Sequence, residues 1–231
     1  MNKIRTITLD LDDTLWEIHP LIRRAERALQ AWLSEHRPRI TAEFGQDDVV
    51  KLREAVVAEF ADRAHDLTFL RRTVLERMGH AVGYEPDFVD DAFEAFDAVR
   101  NAPEIFPEVV PALEQLKAHF KVIAVTNGNA RLDRIGIEHL FDNMVTAASA
   151  GAAKPARRIF DVAVASGGAS AAQTLHVGDH WEYDVRGARE AGLQTAWVNR
   201  VGHIWPDDEQ RADIEVDDVG ELARHLLSTA V

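Results

Sequence analysis

Cysteine is absent from the 231 residues. That excludes a disulfide framework and any thiolate metal site, and nothing calls for an oxidising compartment. No apolar run reaches the ~18 residues of a membrane span. Met1-Asn2-Lys3 leads directly into a strand and a carboxylate cluster, so no signal peptide and a cytoplasmic location are expected. Positive charge is in deficit, with 26 Lys and Arg against 39 Asp and Glu for a net charge of −13. Nucleic acid and anionic membrane surfaces need a cationic footprint and are not expected as partners. The ten histidines show no paired metal spacing with a third ligand, which argues against zinc. Internal repeats and low-complexity linkers are missing as well. What is present is an ordinary globular composition, 46% hydrophobic, enough for one large domain or a domain with a substantial insert.

The chain is organised around Ile4-Arg5-Thr6-Ile7-Thr8-Leu9-Asp10-Leu11-Asp12-Asp13-Thr14-Leu15. Apolar and β-branched residues read as a short strand running into three carboxylates. Residues two apart in extended chain share a face, so Asp10 and Asp12 converge while Asp13 points elsewhere. Two carboxylates side by side in a partly buried site favour a shared proton or a bound cation. One can then attack as a nucleophile while the other moves a proton. Solvated acids at the end of a surface strand are the plainer alternative on this stretch alone.

From Leu15 to about Ala102 the periodicity is helical. Stripes run over Pro20–Glu35, Val49–Phe60, Thr68–Met78 with Gly79 as its stop, and Pro86–Val99. After Pro107 helices and strands alternate. A helix over Glu108–His119 precedes the strand Lys121–Thr126, and a short helix near Arg131–Phe141 precedes the weaker strand Asn143–Ala147. Lys154-Pro155 opens a helix through Ala165. Strands at Thr174–Val177 and Gln194–Val198 flank a helix ending at Ala191, and Ile214–Val216 is a candidate edge strand before the helix Gly220–Leu227. Alternation of this kind implies an α/β fold, a Rossmann-like parallel sheet covered by helices on both faces. The opening strand belongs in that sheet, which makes residues 1–15 and 104–231 the core and residues 16–103 an all-helical insertion.

Ligands in open parallel sheets bind beyond the carboxyl ends of the strands. Asp10, Asp12, Thr126, Asn127, Asp179 and Asp184 all fall at such ends or just after them, and Lys154 sits in a loop before a helix. This is a nucleophile, an acid/base, a hydroxyl and an amide, a cation, and spare carboxylates for a hard metal. Asp10 and Asp179 can serve Mg²⁺, which takes one or two carboxylates plus substrate oxygens. Phosphoryl transfer fits that inventory best.

Asp10-Leu11-Asp12-Asp13-Thr14, Thr126-Asn127-Gly128, Lys154-Pro155 and Gly178-Asp179 to Asp184 resemble the four ordered motifs of the haloacid dehalogenase-like hydrolase superfamily, and the helical insert resembles that family's cap. The resemblance implies that Asp10 forms an aspartyl-phosphate and, with its other oxygen, binds Mg²⁺. It makes Asp12 the group that protonates the leaving alcohol and then activates water, with its backbone carbonyl on the metal. Thr126 and Lys154 would hold the phosphoryl oxygens, assisted by the amides around Asn127 and Gly128. Asp179 would ligate Mg²⁺, and Asp184 would hold Lys154 or a water on the metal. Thr14 would brace the turn.

Dehalogenating members of the family lack an acid at the position of Asp12, and the phosphonate-cleaving branch lacks it too while needing a cap lysine. Lys51, the one cap lysine, reads as a solvated helix face. A cytoplasmic phosphatase of small phosphorylated metabolites, monomeric or homodimeric, is therefore expected. The segments Leu9–Trp16, Thr126–Ala130 and Leu175–Asp179 further resemble the bacterial branch acting on flavin mononucleotide and the phosphoribitylamino-pyrimidine precursor of riboflavin. Trp32, Phe44, Phe69, Arg71 and Arg72 are candidate ring or tail contacts, with cap packing and a solvated face as the plainer roles. His176 reads as a satisfied core residue, His180 as a neighbour of the site, Trp16 as a brace of the cap hinge with an entrance gate as the alternative, and Trp181, Trp197 and Trp205 as packing. A phospho-accepting signalling module and a non-catalytic, partner-binding relative are the rival classes.

Overall fold

The computed structural model describes residues 3–228; residues 1–2 and 229–231, which the sequence assigns to the core, lie outside the described residues. Six strands are laid down in chain order: β1 (Thr6–Leu9), β2 (Lys121–Thr126), β3 (Asn143–Thr146), β4 (Thr174–Gly178), β5 (Gln194–Val198) and β6 (Ile214–Val216). They form one sheet in the order β3-β2-β1-β4-β5-β6, and every pairing is parallel. β1 is central. All four of its residues are buried, as a parallel strand covered on both faces requires.

One face carries Thr6 and Thr8 beside Ile123, Val125 and His176. Helix Arg157–Gly167 covers it, inserting Ile159, Phe160 and Ala163 into a cluster with Ile123, Val125 and Val145. On the other face Ile7, Leu9, Val122 and Ala124 are fully buried. Helix Val109–Lys117 packs on β2 and against helix Val219–Ser228. Register then sets the site. Leu9 pairs with Ala124 and with Val177, so the residues just beyond those pairs, Asp10, Thr126 and Asp179, end three adjacent strands on the same rim.

The chain divides into two compact units, one of 1–17, 104–128 and 136–231, the other of 18–103 and 129–135. The second has its own core, in which Leu29, Leu33, Ile40, Val56, Leu70, Val74, Met78, Phe88 and Phe96 are buried. Its principal helices are Ile18–His36, Gln46–Glu59, Leu67–Ala81 and Val89–Arg100. A short helix, Pro38–Glu43, has too few residues to show a period in sequence. Gly79 does not stop its helix, which runs on to Ala81. A Cβ at Gly79 would lie 2.5 Å from a ring carbon of Phe88, so the glycine makes room for an aromatic ring.

Residues 129–135, which the sequence places with the core, group with the helical unit. Arg131 N–H donates to Asn101 Oδ1 at 2.7 Å, and Arg134 pairs with Glu94 and Asp97. The expected helix over Arg131–Phe141 reduces to two single turns, Leu132–Ile135 and Glu138–Leu140. The helix expected to open at Lys154-Pro155 begins at Arg157, since a residue before proline disfavours helical backbone.

Candidate active site

Asp10 leaves β1 with its N–H donated to Val177 O at 2.9 Å, and its carboxyl is buried. Lys154, also buried, reaches it from the neighbouring loop. Its ammonium donates to Asp10 Oδ1 at 2.5 Å, to Asp184 Oδ1 at 2.6 Å and to Val125 O at 3.2 Å. Three hydrogens meet three acceptors. Asn127 fixes the loop that carries the lysine: its Nδ2 donates to Lys154 O at 2.9 Å and its Oδ1 accepts from Lys154 N–H at 2.6 Å. The Asn127 side chain is thus committed to the Lys154 backbone. Thr126 is buried, and its hydroxyl oxygen accepts from Gly128 N–H at 2.9 Å.

Asp184 is held from every side. Besides Lys154, it accepts from His176 Nε2 at 3.1 Å on Oδ1 and from His180 N–H at 3.0 Å on Oδ2. Gly178 makes its close approach possible, because a Cβ there would fall on the Asp184 carboxyl carbon. Thr14 Oγ1 lies 3.4 Å from Asp10 Oδ2 and 3.2 Å from Asp179 Oδ1. Its single proton serves one of the two at a time, tying the turn to both carboxylates. Trp197 Nε1–H donates to Asp179 O at 2.6 Å and anchors that residue's backbone.

Charge is unbalanced here. Three carboxylates, Asp10, Asp179 and Asp184, offer oxygens all within 4.8 Å of one another, against one ammonium. Burial would raise Asp184, but Lys154 and His176 hold its carboxyl well below the usual range. Asp10 is pushed well above that range by burial, only partly offset by the shared Lys154, with Asp184 and Asp179 adding repulsion. Asp179 is raised to about 7 by burial, then by Asp184 and Asp13. Lys154 stays charged, since Asp10 and Asp184 outweigh its own burial. Burial lowers His176 below its ordinary value and keeps it neutral. Asp184 accepts only, so Nε2 carries the imidazole proton and Nδ1 accepts from the Thr8 hydroxyl at 2.8 Å. The deficit therefore sits on Asp10 and Asp179. An all-oxygen donor set with two carboxylates short of countercharge suits a hard divalent cation.

Residues 4–192 match the sequence model of the haloacid dehalogenase-like hydrolases. The chain belongs to that family. It is similar to the glyceraldehyde 3-phosphate phosphatase of Methanopyrus kandleri, 31% identical over 226 residues that cover 93% of this chain and 91% of the relative. It is also similar to YigB of Escherichia coli, a 5-amino-6-(5-phospho-D-ribitylamino)uracil phosphatase, 28% identical over 202 residues that cover 86% and 84%. Among solved structures, a 2-haloacid dehalogenase from Pseudomonas syringae pv. Tomato DC3000 superposes with a TM-score of 0.93 at 34% identity, covering 99% of this chain and all of that one.

Within this haloacid dehalogenase-like hydrolase, Asp10, Thr126, Lys154, Asp179 and Asp184 come from four segments of the chain to one rim. Asp12 does not join the carboxylate cluster; its Oδ1 accepts from Trp16 Nε1–H at 2.8 Å. Two contributors escape a linear reading. His176 shows in sequence as one more buried strand residue, and only the sheet register brings it under Asp184. Trp16 is fully buried, with nothing in its spacing to mark a polar partner. The His180 ring caps the following turn, Nδ1 accepting from the N–H groups of Glu182 and Tyr183. Trp181, Trp197 and Trp205 share an apolar cluster with Val185. In the helical unit Arg71 pairs with Glu26 and lies over Phe96, while Arg72 pairs with Asp90. Trp32, Phe44 and Phe69 pack on that unit's core. No helix among the described residues is long and apolar enough to cross a membrane.

Proposed function

We propose that this hydrolase cleaves phosphoric monoesters of small metabolites with Mg²⁺ as cofactor. The observation that carries the reading is the buried carboxylate cluster around Lys154, whose uncompensated charge falls on Asp10 and Asp179. Asp10 and Asp179 hold the cation in this reading, together with the Asp12 backbone carbonyl, and the ion neutralises phosphoryl charge when bound. Asp10 attacks phosphorus. The P–O bond to the alcohol breaks as Asp12 gives that oxygen a proton. Water then attacks the aspartyl-phosphate, returning a proton to Asp12 and releasing phosphate and the free Asp10 carboxylate. The Thr126 hydroxyl and the Lys154 ammonium hold phosphoryl oxygens through both steps, and Asp184 with His176 keeps Lys154 charged and in place. Residues 16–103 are assigned the role of a cap that selects the rest of the substrate.

Asp12 separates this reading from hydrolytic dehalogenation, the activity that names the Pseudomonas syringae relative. A departing halide is a weak base and needs no proton, whereas an alkoxide does. Similarity to YigB supports flavin mononucleotide or a riboflavin-pathway phosphate as the first substrates to try. The test is a panel of phosphorylated metabolites, an aryl phosphate and a 2-haloacid, each with Mg²⁺ and with chelator. Phosphate release that needs the metal and disappears in Asp10→Asn is expected. Halide release without phosphate release would overturn the proposal, and so would a stable phospho-Asp10 with no turnover, the behaviour of a signalling module.

A further inference from the structure

Trp16 has one polar atom, and the structure gives it to Asp12. The ring is fully buried, yet its Nε1–H does not take a backbone carbonyl; it donates to Asp12 Oδ1 at 2.8 Å. The segment carrying the ring is fixed on both sides. Asp13 N–H donates to Trp16 O at 2.8 Å, with Asp13 in the left-handed region at φ 61°. Leu15 N–H donates to Leu11 O at 2.8 Å, Phe106 N–H donates to Leu15 O at 3.0 Å, and Trp16 forms a bridge with Ile105. Neither the ring nor the strand end it faces has room to drift.

An indole N–H donates and cannot accept. Oδ1 of Asp12 is thereby engaged as an acceptor by the indole. A hydrogen bond to a carboxylate from a donor with no alternative partner is also directional, which limits rotation of the carboxyl group. Packing alone would need the two rings and not the N–H.

We infer that Trp16 is a positioning residue for proton transfer by Asp12, orienting its carboxyl so that Oδ2 faces the ester oxygen. The inference rests on the proposed role of Asp12 as acid and base.

Trp16→Phe keeps a ring and removes the N–H. The readout is kcat on an alkyl phosphate and on an aryl phosphate with a good leaving group, for wild type, Trp16→Phe, Asp12→Asn and the double variant. Trp16→Phe should lower kcat on the alkyl ester by about 10-fold or more, a part of the ~10²–10⁴-fold that a proton-transfer group supplies. On the aryl ester, which leaves without help, the change should stay within about twofold. In the Asp12→Asn background the same substitution should add no further loss, because coupled residues are not additive. Replacing Trp16 by benzothienylalanine, which keeps both rings and has sulfur in place of N–H, should reproduce the split if Trp16→Phe folds poorly. Equal losses on both esters, or an undiminished loss in the Asp12→Asn background, would overturn the role of Trp16. Wild-type protein that hydrolyses neither ester overturns the phosphatase reading instead.

Discussion

Lys154 is the residue on which the site's electrostatics turn, because its ammonium is shared between Asp10 and Asp184 and finishes on Val125 O. Removing it as Lys154→Met leaves two buried carboxylates without their cation. Breaking a buried pair in this way costs about 3–5 kcal/mol, so a lowered melting temperature and loss of phosphate release are expected together. Lys154→Arg should restore little activity, since a planar fork does not meet three acceptors arranged around a point. Asp12 sits differently, outside the cluster. Asp12→Asn should lower turnover about 10²–10⁴-fold for alkyl esters and much less for aryl esters, read from kcat across leaving groups; equal losses would count against its acid role.

At the scale of elements, two glycines show how packing, not backbone freedom, places glycine in this chain. Gly178 ends β4 where the Asp184 carboxyl occupies the space of a side chain, and Gly79 lies inside a helix against the Phe88 ring. Gly79→Ala raises helix propensity by ~1 kcal/mol but forces the ring aside, and overpacking of this kind costs about 1–3 kcal/mol. A lower melting temperature with kcat per folded molecule preserved is expected; a more stable variant would show that Phe88 moves freely. The periodicity of Thr68–Met78 locates this helix, but a glycine at its end reads as a stop because the sequence does not show what packs there. Strands β2 and β5 are legible to the residue, since their apolar runs are bounded by polar and glycine punctuation. Residues 129–135 are not: their attachment to the helical unit depends on Asn101, Glu94 and Asp97, far away in the chain.

For the molecule as a whole, metal and pH act on the same charge. In metal-free protein the Asp179 carboxyl titrates near 7, above the ~3.9 of an unfolded chain. The folded state then binds more protons between those values, so stability from this group is present below about 4 and is lost as pH rises towards 7 and beyond. His176, held neutral, works the other way below its ordinary ~6.5, losing stability as pH falls. The difference between wild type and Asp179→Asn isolates the first effect. With chelator present, the wild-type melting temperature should fall relative to Asp179→Asn between pH 5 and pH 8. Mg²⁺ should reverse that fall in the wild type only, while restoring activity better than Ca²⁺, whose looser coordination misplaces oxygen ligands. Parallel pH profiles for the two proteins would show that Asp179 ionises normally.

The linear chain determined the α/β alternation, the helical insertion and the ordered carboxylates, because strand and helix periods and charged strand ends are local properties. Family membership follows from those same local motifs in their order. Only the tertiary structure decided which side chains share an oxygen or a proton: the Asp10–Lys154–Asp184–His176–Thr8 chain, the Asn127 clasp on Lys154 and the Trp16 bond to Asp12. The first two depend on strand register and on loops meeting across a sheet, whereas Trp16 and Asp12 are four residues apart and meet because the turn after β1 folds back, with Asp13 N–H donating to Trp16 O. Asp10 and Lys154 lie 144 positions apart and Thr8 and His176 lie 168 apart, and pairings at such separation leave no trace in either residue's neighbourhood.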